Sequence, residues 1–297
     1  MNSTVSRMMR TGRVAAACAA APLLLAGALS AQAPAPADLA QRYAPIDLTG
    51  TWVSIVTEDW AVRMITPPKG DFESLPLTRA AQDAANQVDM AAVAAAGRAC
   101  EAYGAPVIMR EPGRVRISWQ DPSTLKVETD AGQQTRLFHF GPSTPAGAPS
   151  LQGFSTAEWQ YANGFDPIRA AAAAEAARAG GAPAARGGGG GRAGGGGRGG
   201  GGFGRGGVAN TPSGGRLKVE TSGLTAGFLR KNGVPYSASA TVTEYYNLLT
   251  EPSGTEWFVV TTIIHDPVTL AVDYITSTNF RKEPDASKFR PQPCSLR

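Results

Sequence analysis

Over residues 47–57 and again from residue 106 onward, apolar and polar residues alternate in short runs, a period of two that is typical of β-strands with one buried face. These strand-like runs lie at residues 47–57, 107–110, 114–119, 124–129, 134–140, 157–161, 216–221, 227–230, 240–249, 256–264 and 274–281. Proline, glycine and aspartate stand between many of them and favour tight turns. We therefore predict a mainly β fold, a single antiparallel barrel-like or curved sandwich domain of about ten strands.

Residues 77–99 have a helical composition instead of an alternating one. They are rich in alanine, the residue with the highest helix propensity, and Thr78 stands where a helix N-cap is expected. This segment predicts one helix near the N-terminus of the domain.

Residues 162–214 interrupt the strand pattern. Within them, residues 180–207 contain 18 of the 36 glycines and four arginines but almost no apolar side chains, so this part cannot bury a core. We predict a flexible insert rich in alanine, glycine and arginine, with a helix-like stretch at residues 168–178. The insert divides the β-domain into a first part, residues 47–161, and a second part, residues 215–297.

The first 33 residues have the composition of a signal peptide. Three arginines precede an apolar run at residues 14–29, and Ala31 and Ala33 match the small residues of a cleavage site. We predict cleavage near Ala33, an extended lead-in at residues 34–46, and a periplasmic or secreted protein. No later apolar run reaches the ~20 residues of a membrane-spanning helix, so no span is predicted.

The formal net charge of +4 comes from the predicted leader and insert. Without the three arginines of the leader the charge is +1, and without the four arginines of residues 180–207 it is −3. The Arg-Gly-Gly triplets at Arg186, Arg198 and Arg205 resemble RNA-binding tracts, but RNA is not an expected partner outside the cytoplasm. We therefore predict no nucleic-acid partner.

Two of the three cysteines, Cys100 and Cys294, lie outside the predicted leader. An even number of cysteines in an oxidising compartment favours a disulfide over two free thiols. We predict a Cys100–Cys294 bond that ties the end of the helical segment to the C-terminus.

The chain contains no recognisable catalytic or cofactor motif. His139 and His265 are its two histidines, and neither stands in a zinc-ligand spacing. The glycine-rich segment lacks the strand-to-helix context of a dinucleotide-binding loop. No catalytic residue, metal ligand or cofactor is assigned.

Five residues are candidates for contact with a small ligand: Arg136, His139, Trp159, Arg230 and Glu244. In one interpretation Arg230, Glu244 and His139 line the mouth of a barrel and orient a ligand. In the other, Arg230 and Glu244 form an ordinary cross-strand ion pair. Arg136 and His139 fall on opposite faces of one strand, so they are not expected to be partners.

Two further features are each open to two interpretations. The strands carry four tryptophans that either pack in the core or offer a stacking surface, namely Trp52, Trp119, Trp159 and Trp257. The segment Glu58-Asp59-Trp60, after the first strand, is either an exposed acidic site or a solvated turn.

Short motifs along the chain resemble those of a broad group of uncharacterised exported bacterial β-proteins. These motifs are Asp47-Leu48-Thr49-Gly50-Thr51-Trp52, Glu158-Trp159, Leu217-Lys218-Val219-Glu220-Thr221, residues 230–237, Thr243-Glu244-Tyr245 and Asp266-Pro267. The resemblance implies secretion and a β-fold without an assigned activity. The turn after Glu-Trp is tight in that group, so the long insert is a departure. Gly50-Thr51-Trp52 is also similar to the start of lipocalins, although their later arginine signature is not evident here.

Three functions follow as hypotheses. The first is an exported protein that binds a small apolar or carbohydrate-like molecule between its strands. The second is a hydrolase or isomerase that uses a carboxylate with His139 or His265. The third is an envelope interaction protein in which the glycine-rich insert is a tether. The sequence does not indicate an oligomeric state.

Overall fold

The structure is a computed structural model that describes residues 39–145, 147–179 and 214–296. The predicted leader, residues 1–33, and residues 180–213 of the predicted insert lie outside the described residues. Within the described residues the strands are β1 (Gly50–Ile55), β2 (Arg114–Asp121), β3 (Thr124–Thr129), β4 (Thr135–Phe140), β5 (Phe154–Tyr161), β6 (Gly215–Ser222), β7 (Gly227–Arg230), β8 (Val234–Tyr236), β9 (Thr241–Thr250), β10 (Glu256–His265) and β11 (Tyr274–Glu283). The α-helices are α1 (Leu39–Arg42), α2 (Trp60–Met64), α3 (Arg79–Gln87), α4 (Met90–Ala95) and α5 (Pro167–Ala179).

Nine of these strands close into a barrel, and β7 and β8 form a separate hairpin. The predicted mainly β, barrel-like fold is confirmed. Around the ring the strands follow their order in the sequence from β1 to β6 and from β9 to β11, and β11 pairs with β1. A ring whose neighbours are all antiparallel needs an even number of strands, so a ring of nine contains a parallel pair. That pair is β4 with β5, the one departure from the antiparallel pattern of the barrel.

The alanine-rich segment forms two short helices instead of the one predicted. Thr78 caps α3 as expected, since its hydroxyl accepts a hydrogen bond from Ala81 N at 3.2 Å. Helix α3 ends at Val88, whose backbone is extended, and Asp89 caps α4 by accepting two backbone N–H groups. Asp89 is a capping residue inside the alanine run, and this was the signal for the break. None of the described helices is long and apolar enough to cross a membrane.

Two strand predictions need correction. Residues 107–110, predicted as a strand, enter a 3₁₀ turn at Ile108–Arg110, and all three residues of that turn are buried. Strand β8 was not predicted because it is three residues long and contains Pro235, which cannot donate a ladder hydrogen bond. Helix α5 covers the helix-like stretch predicted at residues 168–178.

Inward-facing side chains fill the barrel. A row of aromatic rings crosses the interior, with centroids 4.9 Å apart for Trp52 and Phe258 and 4.5 Å apart for Phe258 and Phe280. The row continues through Tyr246 to Phe138, whose centroids are 5.7 Å apart. Each of these five side chains is at most 1% exposed. The interior is therefore a packed core, as in other barrels of similar strand number.

Different segments close the two ends of the barrel. Residues 39–48 cover the end where β1 begins, and there the Trp159 indole donates to Ala40 O at 2.8 Å. At the opposite end, where β11 begins, a second hydrophobic cluster packs α3 and the β7–β8 hairpin against the barrel. Ala85, Val234 and Leu270 belong to that cluster, and each is at most 5% exposed.

A disulfide joins Cys100 and Cys294, as predicted, with their Cα atoms 5.1 Å apart. The residues after β11 follow the turn between β3 and β4, where Gln292 N donates to Asp130 O at 2.7 Å. The Tyr103 hydroxyl donates to Ser295 O at 2.7 Å. The C-terminal segment is thus held at three points, and the disulfide is compatible with an exported protein.

Replacing both cysteines with alanine is expected to lower the free energy of unfolding by at most about 5 kcal/mol, because the bond joins residues 194 positions apart in the unfolded chain. Urea unfolding with and without reductant measures the effect. Reductant should lower the midpoint of the wild-type protein and leave the Cys100→Ala/Cys294→Ala variant unchanged. A wild-type midpoint that stays constant while both thiols become titratable would contradict this role.

Candidate functional site

A buried ion pair joins two of the predicted candidate residues, Arg136 on β4 and Glu244 on β9. Arg136 Nη1 donates to Glu244 Oε1 at 2.9 Å, and Nη2 donates to Oε2 at 2.6 Å. Arg136 is 2% exposed and Glu244 is 0% exposed. The pair therefore lies inside the barrel and out of contact with solvent.

Polar neighbours add hydrogen bonds to this pair, although Arg136 Nε is buried without a partner among the described residues. Thr221 Oγ1 accepts from Arg136 at 3.1 Å, and the Tyr246 hydroxyl donates to Glu244 at 3.3 Å. Burial and the charge of Glu244 raise the pKa of Tyr246, so its hydroxyl keeps its proton. Burial acts to lower the pKa of Arg136, but charge interactions and hydrogen bonds with Glu244 and Tyr246 together outweigh it and the pKa is raised. The cluster is a closed, charged element of the core.

The predicted grouping of Arg230, Glu244 and His139 is not formed. Arg136 occupies the position opposite Glu244, while Arg230 lies on the β7–β8 hairpin outside the barrel. His139 lies on the other face of β4 from Arg136, as parity predicted, and stacks on the Phe154 ring at 5.0 Å. Arg136 and Glu244 both stand at inward positions of their strands, and the alternating pattern places both side chains inside the barrel without specifying that they pair.

The histidines and Glu244 do not converge, although a hydrolase or isomerase using them would need a shared cavity. Glu244 is enclosed, and His265 forms an exposed pair with Asp273 at 2.8 Å. Within the part of the chain that the structure describes, no three His, Cys, Asp or Glu side chains are grouped to hold a metal ion.

One cavity, of about 460 Å³, lies at the end of the barrel covered by residues 39–48. We refer to it as the mouth cavity. Trp119, Leu125 and Trp159 form its barrel side, and residues 44–49 contribute to its cover. Its walls present both polar and apolar surface, and the Trp159 indole nitrogen already has Ala40 O as its acceptor.

A second cavity, of about 410 Å³, lies beside the opposite end of the barrel. Its walls come from α2 and the loop after it, the 3₁₀ turn before β2, the β3–β4 turn, the β7–β8 hairpin, Tyr274 and the C-terminal segment. Five cationic residues line it, namely Arg63, Arg110, Arg230, Lys231 and Arg290, and we refer to it as the cationic cleft.

Two contacts hold the walls of the cationic cleft in place. Asn232, buried in the hairpin, donates through Nδ2 to Pro68 O at 3.1 Å and to Asp71 O at 2.9 Å, which fixes the loop after α2. In the β3–β4 turn, Gly132 has a φ of 72°, and a Cβ atom there would overlap the ring of Tyr103. Glycine is therefore required where the turn meets this wall.

Carboxylates neutralise two of the five cations. Arg110 lies 2.9 Å from Asp59 Oδ2 and 3.4 Å from Glu58 Oε2, so the predicted acidic segment serves as its counter-ion. Lys231 Nζ lies 2.8 Å from Glu111 Oε2. Burial acts to lower the pKa of Lys231, but Glu111 and Tyr103 together outweigh it and the pKa is raised.

Arg63 and Arg230 differ, because neither forms a salt bridge with a described carboxylate. Their hydrogen-bond acceptors include backbone oxygens, with Arg63 Nε 2.9 Å from Arg110 O and Arg230 Nη2 2.6 Å from Glu73 O. Among the described residues, Arg63 Nη2 and Arg230 Nη1 are buried without a hydrogen-bond partner. Burial and the charge of Arg110 lower the pKa of Arg63 to about 10. These two guanidinium groups are the incompletely satisfied cations of the cleft.

Two residues with a left-handed backbone connect Arg230 to Arg110. Asp59 has a φ of 50° and Ser74 a φ of 62°, values that non-glycine residues rarely adopt. Ser74 Oγ donates to Asp59 at 3.2 Å and accepts from Arg230 at 3.0 Å, while Asp59 also holds Arg110. Such backbones persist where surrounding contacts hold them, and they are concentrated at functional sites.

Of the sequence candidates, Arg230 lines the cationic cleft and Trp159 lines the mouth cavity. Arg136, Glu244 and His139 line neither of these cavities. Arg63, Arg110 and Lys231 were not among the candidates; they stand in the short helix α2, the 3₁₀ turn before β2 and the turn between β7 and β8.

Comparison with known proteins finds no match, whether to a protein-family model, a curated protein or a solved structure. The resemblance to exported bacterial β-proteins stays a prediction. The functional interpretation therefore rests on the geometry of the two cavities.

Removing one partner of the buried pair is expected to destabilise the protein by about 3–5 kcal/mol, because the other charge is left without a partner. Glu244→Leu and Arg136→Met each test this by urea unfolding. The double variant buries neither charge and should recover much of the loss. Arg116→Met, which removes a more exposed partner of Glu128, is the control and should cost less than about 1 kcal/mol. Additive losses in the double variant would contradict the coupling.

Proposed function

We propose that the protein is an exported binding protein whose ligand is a small molecule with an anionic group, held in the cationic cleft. The observation that supports this most strongly is the pair of guanidinium groups, Arg63 and Arg230, that line the cleft without a carboxylate partner.

An anion in the cleft would supply hydrogen-bond acceptors and a negative charge to both arginines. A guanidinium presents donors in a planar fork that matches the oxygens of a carboxylate or a phosphate. Arg63 is partly desolvated and close to the charge of Arg110, and both effects lower its pKa. A negative charge nearby would offset the free-energy cost of burying the Arg63 charge and of its repulsion from Arg110. This gain in free energy would contribute to the affinity for the ligand. The volume of about 410 Å³ lies in the range of small-molecule sites.

Export is the second part of the proposal. It is supported by the composition of residues 1–33, by the small residues before the expected cleavage near Ala33, and by the Cys100–Cys294 disulfide. The protein is accordingly proposed to act in the periplasm or after secretion.

The mouth cavity favours a second candidate function, the binding of an apolar or carbohydrate-like molecule. The specific observation is that two indole rings, Trp119 and Trp159, line one cavity. We rank it second because the Trp159 indole nitrogen is already bonded to the segment that covers the cavity.

Replacing Arg63 or Arg230 with glutamine is expected to weaken binding of citrate about tenfold or more, since each charge-assisted hydrogen bond contributes about 1.5–3 kcal/mol. Isothermal titration calorimetry at low ionic strength measures the dissociation constant. Added salt should weaken binding to the wild-type protein, because the contribution of charge is screened.

The matched control for this experiment is Arg79→Gln. Arg79 is an exposed residue of α3 outside the cleft, and its replacement makes the same change in net charge. Circular dichroism of all variants checks that they are folded. The proposal fails if citrate and inorganic phosphate do not bind, or if Arg79→Gln weakens binding as much as the two cleft variants.

A further inference from the structure

Helix α2 forms one wall of the cationic cleft and exposes several large apolar side chains. Trp60 is 66% exposed, Met64 is 59% exposed, and Ile65, directly after the helix, is 71% exposed. Met64 is itself a lining residue of the cleft, as is Val62. Single exposed apolar residues are common, but three within six positions at the edge of a cavity form a local patch.

A contact between β11 and the loop before α2 brings further exposed apolar residues close to this patch. Ser277 N donates to Glu58 Oε2 at 2.7 Å, which holds the start of α2 beside β11. Near the beginning of β11, Val272 is 66% exposed and Ile275 is 58% exposed. Apolar surface and unsatisfied cations therefore adjoin at the same side of the barrel.

We infer that the ligand of the cationic cleft is an anionic amphiphile, taken up as a single molecule. This inference rests on the proposed function and specifies its ligand class. The anionic group lies against Arg63 and Arg230, and an alkyl chain leaves the cleft across Met64, Ile65 and Trp60. Such a molecule uses both features of the site, whereas a small hydrophilic anion uses the cations alone.

Chain length of the ligand tests the inference. Ethyl phosphate and octyl phosphate have the same head group, and each methylene that fully leaves water tightens binding by about fourfold. On an open wall the alkyl chain is only partly removed from water. Octyl phosphate below its micelle concentration should therefore bind the wild-type protein at least about tenfold more tightly than ethyl phosphate. Isothermal titration calorimetry measures both constants.

Two sets of variants separate the head-group contacts from the chain contacts. Trp60→Gln/Ile65→Gln should reduce the advantage of octyl over ethyl phosphate to less than about threefold and leave ethyl phosphate binding unchanged. Leu249→Gln changes an apolar residue that is 56% exposed outside the cleft lining and is the matched control, expected to preserve the advantage. Arg63→Gln should weaken both ligands by a similar factor.

Each contrary outcome has a distinct meaning. Equal affinity for ethyl and octyl phosphate overturns the amphiphile inference and leaves the anion-binding proposal standing. Failure of both to bind overturns the two together. If octanol binds as tightly as octyl phosphate, the anionic head group is not recognised. If the protein sediments with phosphatidylglycerol vesicles but does not bind monomeric octyl phosphate, the apolar patch docks on a membrane surface and single-molecule uptake is wrong.

Discussion

Arg136 and Glu244 place opposite charges inside the barrel, where the side chains are almost completely removed from solvent. Two buried charges are tolerated when they face each other and when neighbouring groups add hydrogen bonds to them, as Thr221 and Tyr246 do here. The aromatic row occupies further interior space between β1 and β4. Because side chains fill the interior, the barrel serves as a rigid support, and the surface available for a ligand is built outside it.

A closed ring has no free strand edges, so the connecting segments pack on the ends and sides of the barrel. Three segments distant in sequence meet at the cationic cleft: α2 with its loop, the β7–β8 hairpin and the C-terminal residues. Asn232 fixes the first to the second, and the Cys100–Cys294 bond holds the third. Loops held by a rigid scaffold are a common place for binding sites, since they vary without disturbing the core.

The alternating pattern was sufficient to predict most of the barrel, because one face of each strand must be buried. It also placed Arg136 and His139 on opposite faces of β4. The pattern did not predict which residues pair across the barrel. Parity places Arg136 and Glu244 inside, but it does not specify which strands face each other, and the two residues are 108 positions apart in the sequence. The cationic cleft was still less accessible to prediction. Arg63 and Arg230 both line it. Their positions depend on loop conformations, including the left-handed backbones of Asp59 and Ser74, and no periodic pattern encodes these conformations.

The most direct test of this account is to locate a bound ligand with the five tryptophan indole signals in a ¹⁵N–¹H NMR spectrum. Trp60 begins α2, the helix that contributes Val62, Arg63 and Met64 to the cationic cleft. Trp119 and Trp159 line the mouth cavity, and Trp52 lies in the filled core. On titration with octyl phosphate, the account predicts that the Trp60 signal shifts and that the signals of Trp119, Trp159 and Trp52 stay in place. Shifts of Trp119 and Trp159 with a constant Trp60 signal would place the ligand at the mouth of the barrel and contradict it.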